Sequence, residues 1–170
     1  MTDNSSARAS QKTTGNPIDR SPPIGLFLSG ESFYQTGHLA YVACDAKTLK
    51  LRFNMPVYYL FSHALELVMK AFLQAKGKTA NELRGHKIRH SLLGLWEECL
   101  KIQPDFEQLT QQVVGPVIHM LDPFVINFEF RYLQVGYKTL PTLTATNEAV
   151  LALITAVRPT CEASWHAQSV

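Results

Sequence analysis

Cysteine is scarce in this chain. Cys44, Cys99 and Cys161 are the only three, an odd number, widely separated and without a CxxC pair. That argues against a disulfide framework or a cysteine-based zinc knuckle, and it fits a reducing, cytoplasmic compartment. Strong net charge is also missing: the formal value is +2 over 170 residues, so a polyanion would have to be attracted by a local cluster rather than by the whole molecule. There is no GxGxxG, no Walker loop and no GxSxG elbow. Nothing therefore indicates a dinucleotide, nucleoside triphosphatase or serine-hydrolase site, and no cofactor is expected. The amino-terminal stretch has no apolar h-region and does not read as a secretory signal. A clean membrane span is lacking too. The run Met55–Ala75 has the length, but His63, Glu66, Lys70 and Gln74 interrupt it, and a Glu or Lys at mid-bilayer costs about 2.5–3.5 kcal/mol each. A core helix with no membrane partner is the better reading.

The composition itself, 46% hydrophobic, is ample for one core. Residues 1–23, rich in Ser, Thr, Asn and Pro, cannot bury enough surface to offset the entropy of ordering and read as a disordered tail. Residues 24–170 read as one all-α domain, an up-and-down bundle of about five helices. The first is expected from Glu31 to Leu49 with Ser29 as cap, Gly37 allowing close approach of a neighbour. The second, Pro56 to Lys76, opens on proline, closes at Gly77 and is apolar nearly all round, which places it centrally. The third is expected over His86–Ile102, its apolar face made by Ile88, Leu92, Leu95, Trp96 and Cys99. A fourth starts near Pro104-Asp105, is kinked or broken at Gly115-Pro116 and stops at Asp122-Pro123. Residues 127–142 show no helical period and suggest an extended connection or a hairpin around Gly136. A fifth helix begins near Thr144–Asn147, bent at Pro159.

Two constellations could carry chemistry. The segment from Leu83 to His90 holds Arg84, His86, Lys87, Arg89 and His90 and no acid. Histidine exchanges protons near neutral pH and arginine grips phosphate oxygens. Such a set could position a phosphodiester during attack of a ribose 2′-hydroxyl, with His86 or His90 as acid/base and Arg84, Arg89 or Arg131 on the phosphate. The bland alternative is a solvated basic helix start. His86 and His90, one turn apart, also have zinc-ligand spacing, with Glu66 or His63 as a third donor; Lys87 stands where an HExxH glutamate would be, and no metal is assigned. The second constellation is the stripe His63, Glu66, Lys70 on the central helix. It is either a satisfied polar seam or one wall of a pocket whose other wall is His86 with Arg131 and Tyr132.

The run from Tyr58 to Leu73, with His63, Glu66 and Lys70 in it, then Gly77, then Gly85-His86-Lys87-Ile88, resembles HEPN-domain proteins, which show an "HxxElxlKayL…G" helix followed by a "GHdL" helix start. Arg131-Tyr132 is similar to their downstream "RY" element. The resemblance covers roughly residues 30–160. It implies a helical bundle that pairs as a homodimer, and a metal-independent endoribonuclease, a toxin with a nucleotidyltransferase-type antitoxin, or a phage-defence component. The ribonuclease members carry an arginine and a histidine close together on a late helix. Arg84 and His90 have such a spacing but lie earlier in this chain, and the nearest histidine after Arg131 is His166. The resemblance transfers Glu66, Lys70, Gly85 and His86, with Arg131 and Tyr132, as a polar cluster. The alternative function is a non-catalytic dimerisation or interaction module.

Overall fold

The computed structural model describes residues 21–85, 88–104, 106, 113–132 and 139–168. These form six helices and no strand: α1 Pro23–Asp45, α2 Met55–Ala75, α3 Ala80–Leu83, α4 Leu92–Ile102, α5 Val114–Ile126 and α6 Leu143–Gln168. No helix among the described residues is long and apolar enough to cross a membrane.

Helix α2 lies at the centre, touching α1, α4, α5 and α6. Its buried set includes Phe61, Leu65, Val68, Met69, Phe72 and Leu73, so a Phe→Ala change here would cost about 3–5 kcal/mol. Helix α1 crosses it closely. A Cβ on Gly37 would stand 2.9 Å from the Phe61 ring, and one on Gly30 would stand 2.8 Å from Val68. The close approach expected at Gly37 is present, and Gly30 provides a second contact of the same kind.

Several boundaries differ from the sequence reading, each for a local reason. Helix α1 begins at Pro23, a position where proline's missing N–H is lost anyway. Ser29 is not a cap but a mid-helix residue whose hydroxyl donates to Gly25 O at 2.9 Å. The helix then ends at Asp45, short of Leu49. Thr79 and Glu82 form a capping box that starts α3 inside what read as a loop. The third expected helix starts six residues late, at Leu92, because Ser91 is its cap and accepts from Gly94 N at 2.9 Å. Gly115 and Pro116 sit in the first turn of α5 and open it rather than breaking it, and Pro123 lies inside its last turn. Residues 127–132 make turns, not strands. The expected hairpin at Gly136, the helix start at Asp105 and residues 1–20 of the expected tail lie outside the described residues.

Candidate functional site

A cleft opens where α2 meets the segment before α4 and the turn after α5. Glu66 and Lys70, one turn apart on α2, are both buried. Lys70 Nζ donates to Glu66 Oε1 at 2.6 Å and to the Arg89 backbone carbonyl at 2.8 Å. The same carboxylate oxygen faces His90 Nδ1 at 3.3 Å. His63 Nδ1 lies 3.7 Å from the other oxygen, Oε2; at that length it acts on the carboxylate as a charge or dipole, not through a hydrogen bond. Burial pushes the Glu66 carboxyl up, but His63 and Lys70 together outweigh it and bring the group down from 4.5 to about 2. Glu66 is therefore an ionised acceptor at any working pH.

That ionisation biases the imidazoles. At His90, whose Nδ1 lies within 3.3 Å, an acceptor-only carboxylate favours the proton on Nδ1, which leaves Nε2 as the acceptor of the neutral ring; at His63, 3.7 Å away, it favours the same tautomer by charge alone. Aromatic neighbours hold both rings. His63 stacks on Tyr59 at 5.9 Å and takes the edge of Phe33 at 4.4 Å, while His90 packs against Phe128 at 6.1 Å. The side chain of His90 is 41% exposed and that of His63 27%, so solvent reaches the site.

The far wall comes from α5 and the turn beyond it. Phe130 stacks between Tyr58 and Phe124, and the Tyr58 hydroxyl donates to Pro141 O at 2.5 Å. Arg131 lies over two rings at once, 5.4 Å from Tyr59 and 5.1 Å from Phe128, and so brings a cation to the mouth of the cleft. Phe128 occupies the left-handed region at φ 56°, with Glu129 N bonded back to Phe124 O at 2.8 Å. That is a helix-ending position glycine usually takes. Ser62 also lines the cleft, and its buried hydroxyl has no hydrogen-bond partner among the described residues. The space open to water-sized spheres is about 30 Å³, enough for a water or two. A ligand could put an oxygen or a ring edge into this cleft, not a whole nucleoside.

The sequence-derived residues divide as follows. Glu66, Lys70, His63 and His90 come together, and Arg131 joins them at the rim. Arg89 contributes its carbonyl, while its side chain is exposed. Arg84 bonds to Ala80 O and Asn81 Oδ1 of α3 and does not line the cleft. Tyr132 lines a neighbouring groove instead. Gln74, the remaining polar residue that interrupts the apolar run of α2, reaches Ser21 O at the carboxy-terminal end of the helix. His86 lies outside the described residues. Contrary to expectation, Arg89 and His90 sit on a connection rather than on the first turn of α4.

Asp122 went unnoticed as a positioning residue. Its carboxylate accepts from Ser91 Oγ at 3.1 Å and Leu93 N at 3.0 Å. It thereby caps α4 from α5, and helps anchor His90 one residue before the cap. The contact spans about thirty residues of sequence, and no local pattern announces it. Cys99 is fully buried on α4, where burial pushes its thiol far up, and burial likewise lifts Cys161 to about 12; neither is a nucleophile. Among the described residues no group of three or more His, Cys, Asp or Glu is arranged to hold a metal ion. No protein-family model, no curated protein and no solved structure matches this chain.

Proposed function

We propose that this chain is a HEPN-like helical protein that acts on RNA at the Glu66 cleft, cleaving the phosphodiester without a metal ion. The observation that carries this reading is one ionised carboxylate facing two histidines, with an arginine at the mouth. One Nε2 takes the proton of the ribose 2′-hydroxyl as its oxygen attacks phosphorus. The other imidazole, protonated, gives its proton to the departing 5′-oxygen. The products are a 2′,3′-cyclic phosphate and a 5′-hydroxyl, and the two histidines exchange roles on any later hydrolysis. Arg131 balances charge developing on the phosphoryl oxygens. In this reading His63 joins His90 in the acid/base role expected of His86 or His90, and Arg131, one of three arginines expected on the phosphate, keeps that role. The toxin or phage-defence setting, with its nucleotidyltransferase-type partner, rests on the sequence resemblance alone.

The test is incubation of the purified protein with labelled single-stranded RNA in EDTA. Cleavage should leave cyclic-phosphate ends and fall about 10²–10⁴-fold in His63→Ala and His90→Ala. If the wild-type protein cleaves nothing, or both folded variants cleave at full rate, the reading is wrong.

A second reading, an interaction module that pairs as a homodimer, is supported by α1. Leu28, Leu39 and Val42 fall on one face of that helix and are each about half exposed or more, and such a stripe fits a partner helix. Light scattering on wild type and Leu39→Glu tests it: a dimer converted to monomer supports pairing, and a monomeric wild type rules it out.

A further inference from the structure

Beside the cleft lies a wider groove, with about 340 Å³ open to water-sized spheres. The two share Phe130 and Arg131. The groove is lined on its other side by Arg52 and Phe53, and Tyr132 stands at its edge, with Glu129 as the one carboxylate among the described lining residues. Phe53 is 49% exposed and Tyr132 69%, so both rings are open to solvent. Arg52 sits 5.9 Å over the Phe53 ring.

Residues 46–54 (AKTLKLRFN) run up to this groove, which Arg52 and Phe53 line, while Lys47 and Lys50 line a neighbouring pocket with Asn54; the segment contains Lys47, Lys50 and Arg52 with no acid. In a chain of net +2 this is a local concentration of positive charge. The segment is not slack. Thr48 N and Leu49 N both bond to Ala43 O at 2.9 Å, and the Thr48 hydroxyl joins them at 3.0 Å. Lys47 is held at φ 60°. Lys47 and Phe128 are the two non-glycine residues with positive φ among those described. Each ends a helix, Lys47 on the basic loop and Phe128 on the rim of the cleft, and each bears a backbone cost of about 1 kcal/mol.

We propose that the groove and the Lys47–Phe53 loop form a track for single-stranded RNA, which stacks bases on Phe53 and Tyr132 and sets phosphates against Arg52, Lys50 and Lys47. This rests on the reading of the cleft as an RNA site and names how the substrate reaches it. The two cavities divide the work by size. The narrow cleft admits only the reacting atoms, and the groove, in the range of small-ligand pockets, has room for a base. Interleaved cations and aromatics are the chemistry by which single strands are gripped without sequence preference. Duplex RNA offers no free base to stack. An anionic membrane would meet the cations but not the rings, because the rings line a concavity.

The experiment is fluorescence anisotropy with a short labelled 2′-O-methyl RNA, which cannot be cleaved by 2′-oxygen attack. Its duplex and phosphatidylserine vesicles are measured in parallel. The single strand should bind more tightly than the duplex. Phe53→Ala should weaken it about tenfold, with Arg52→Ala as a second variant and circular dichroism confirming the fold of each. Lys47→Ala and Lys50→Ala should each lower the salt slope by about 0.7. Phe53→Ala binding like wild type, or duplex or vesicles binding as well as the single strand, would overturn the track. Cleavage of ordinary RNA with a Michaelis constant unchanged by Phe53→Ala leaves the cleft reading standing and removes the track. Phe53-dependent binding without any cleavage does the reverse.

Discussion

Two lysine–glutamate pairs in this protein have the same length and different consequences. Lys70 meets Glu66 at 2.6 Å, and Lys78 meets Glu98 at 2.6 Å. The first pair is buried on α2 and its members have further partners: the Arg89 carbonyl on the lysine, and His90 and His63 around the carboxylate. The second is about a quarter exposed, and Glu98 shares itself with Lys101, which is mostly in solvent. Distance alone therefore does not rank them. Solvent screening leaves the outer pair worth roughly 0–1 kcal/mol, whereas removing one member of the inner pair leaves a largely buried charge without its main counter-ion.

The largest expected effect comes from breaking the inner pair. Lys70→Met should destabilise by about 3–5 kcal/mol, against under about 1 kcal/mol for Lys78→Met. Urea unfolding of both variants measures the difference, and equal losses would abolish the distinction between the two regions. Acid sharpens it next. Glu66 in the folded protein lies at about 2, below its ordinary 4.5. Its contribution is therefore complete above the ordinary value and lost as pH falls from about 4.5 through 2. Thermal midpoints of the wild type should fall across that window by the equivalent of roughly 3 kcal/mol, and Glu66→Gln should flatten this part of the curve. A smaller effect is expected at Phe128. Phe128→Gly relieves the left-handed backbone by about 1 kcal/mol but removes a ring that His90 and Arg131 touch. Stability should hold or rise slightly while RNA cleavage drops, and a variant that keeps full activity would show the ring to be dispensable.

What could be read in the sequence was whatever is written locally. Pro56 and Gly77 bracket α2 because proline and glycine act on their own backbone, and Gly77 does take a positive φ of 96°. The polar stripe of α2 was legible because helical spacing alone aligns residues 63, 66 and 70. The start of α4 was not. Ile88 and Leu92 extend the apolar period backwards past Ser91, and the cap at Ser91 is reinforced by Asp122, arriving from another helix. Pro123 misled for a similar reason. It leaves the His119 carbonyl without its helical donor, but both residues face solvent, where water can replace the bond. The basic loop at Lys47 was concealed by running the first helix on to Leu49, which turned a cationic, aromatic connection into ordinary helix end.

The claim on which the rest depends is that Glu66 orients both imidazoles with Nδ1 inward. Long-range proton–nitrogen correlation spectra of the histidine side chains, recorded at a pH where the rings are neutral, read this directly. His63 and His90 should both show the proton on Nδ1 and a free Nε2, and Glu66→Gln should disturb both. Protons found on Nε2 in the wild-type protein would contradict the account, since neither histidine could then accept the proton of a 2′-hydroxyl.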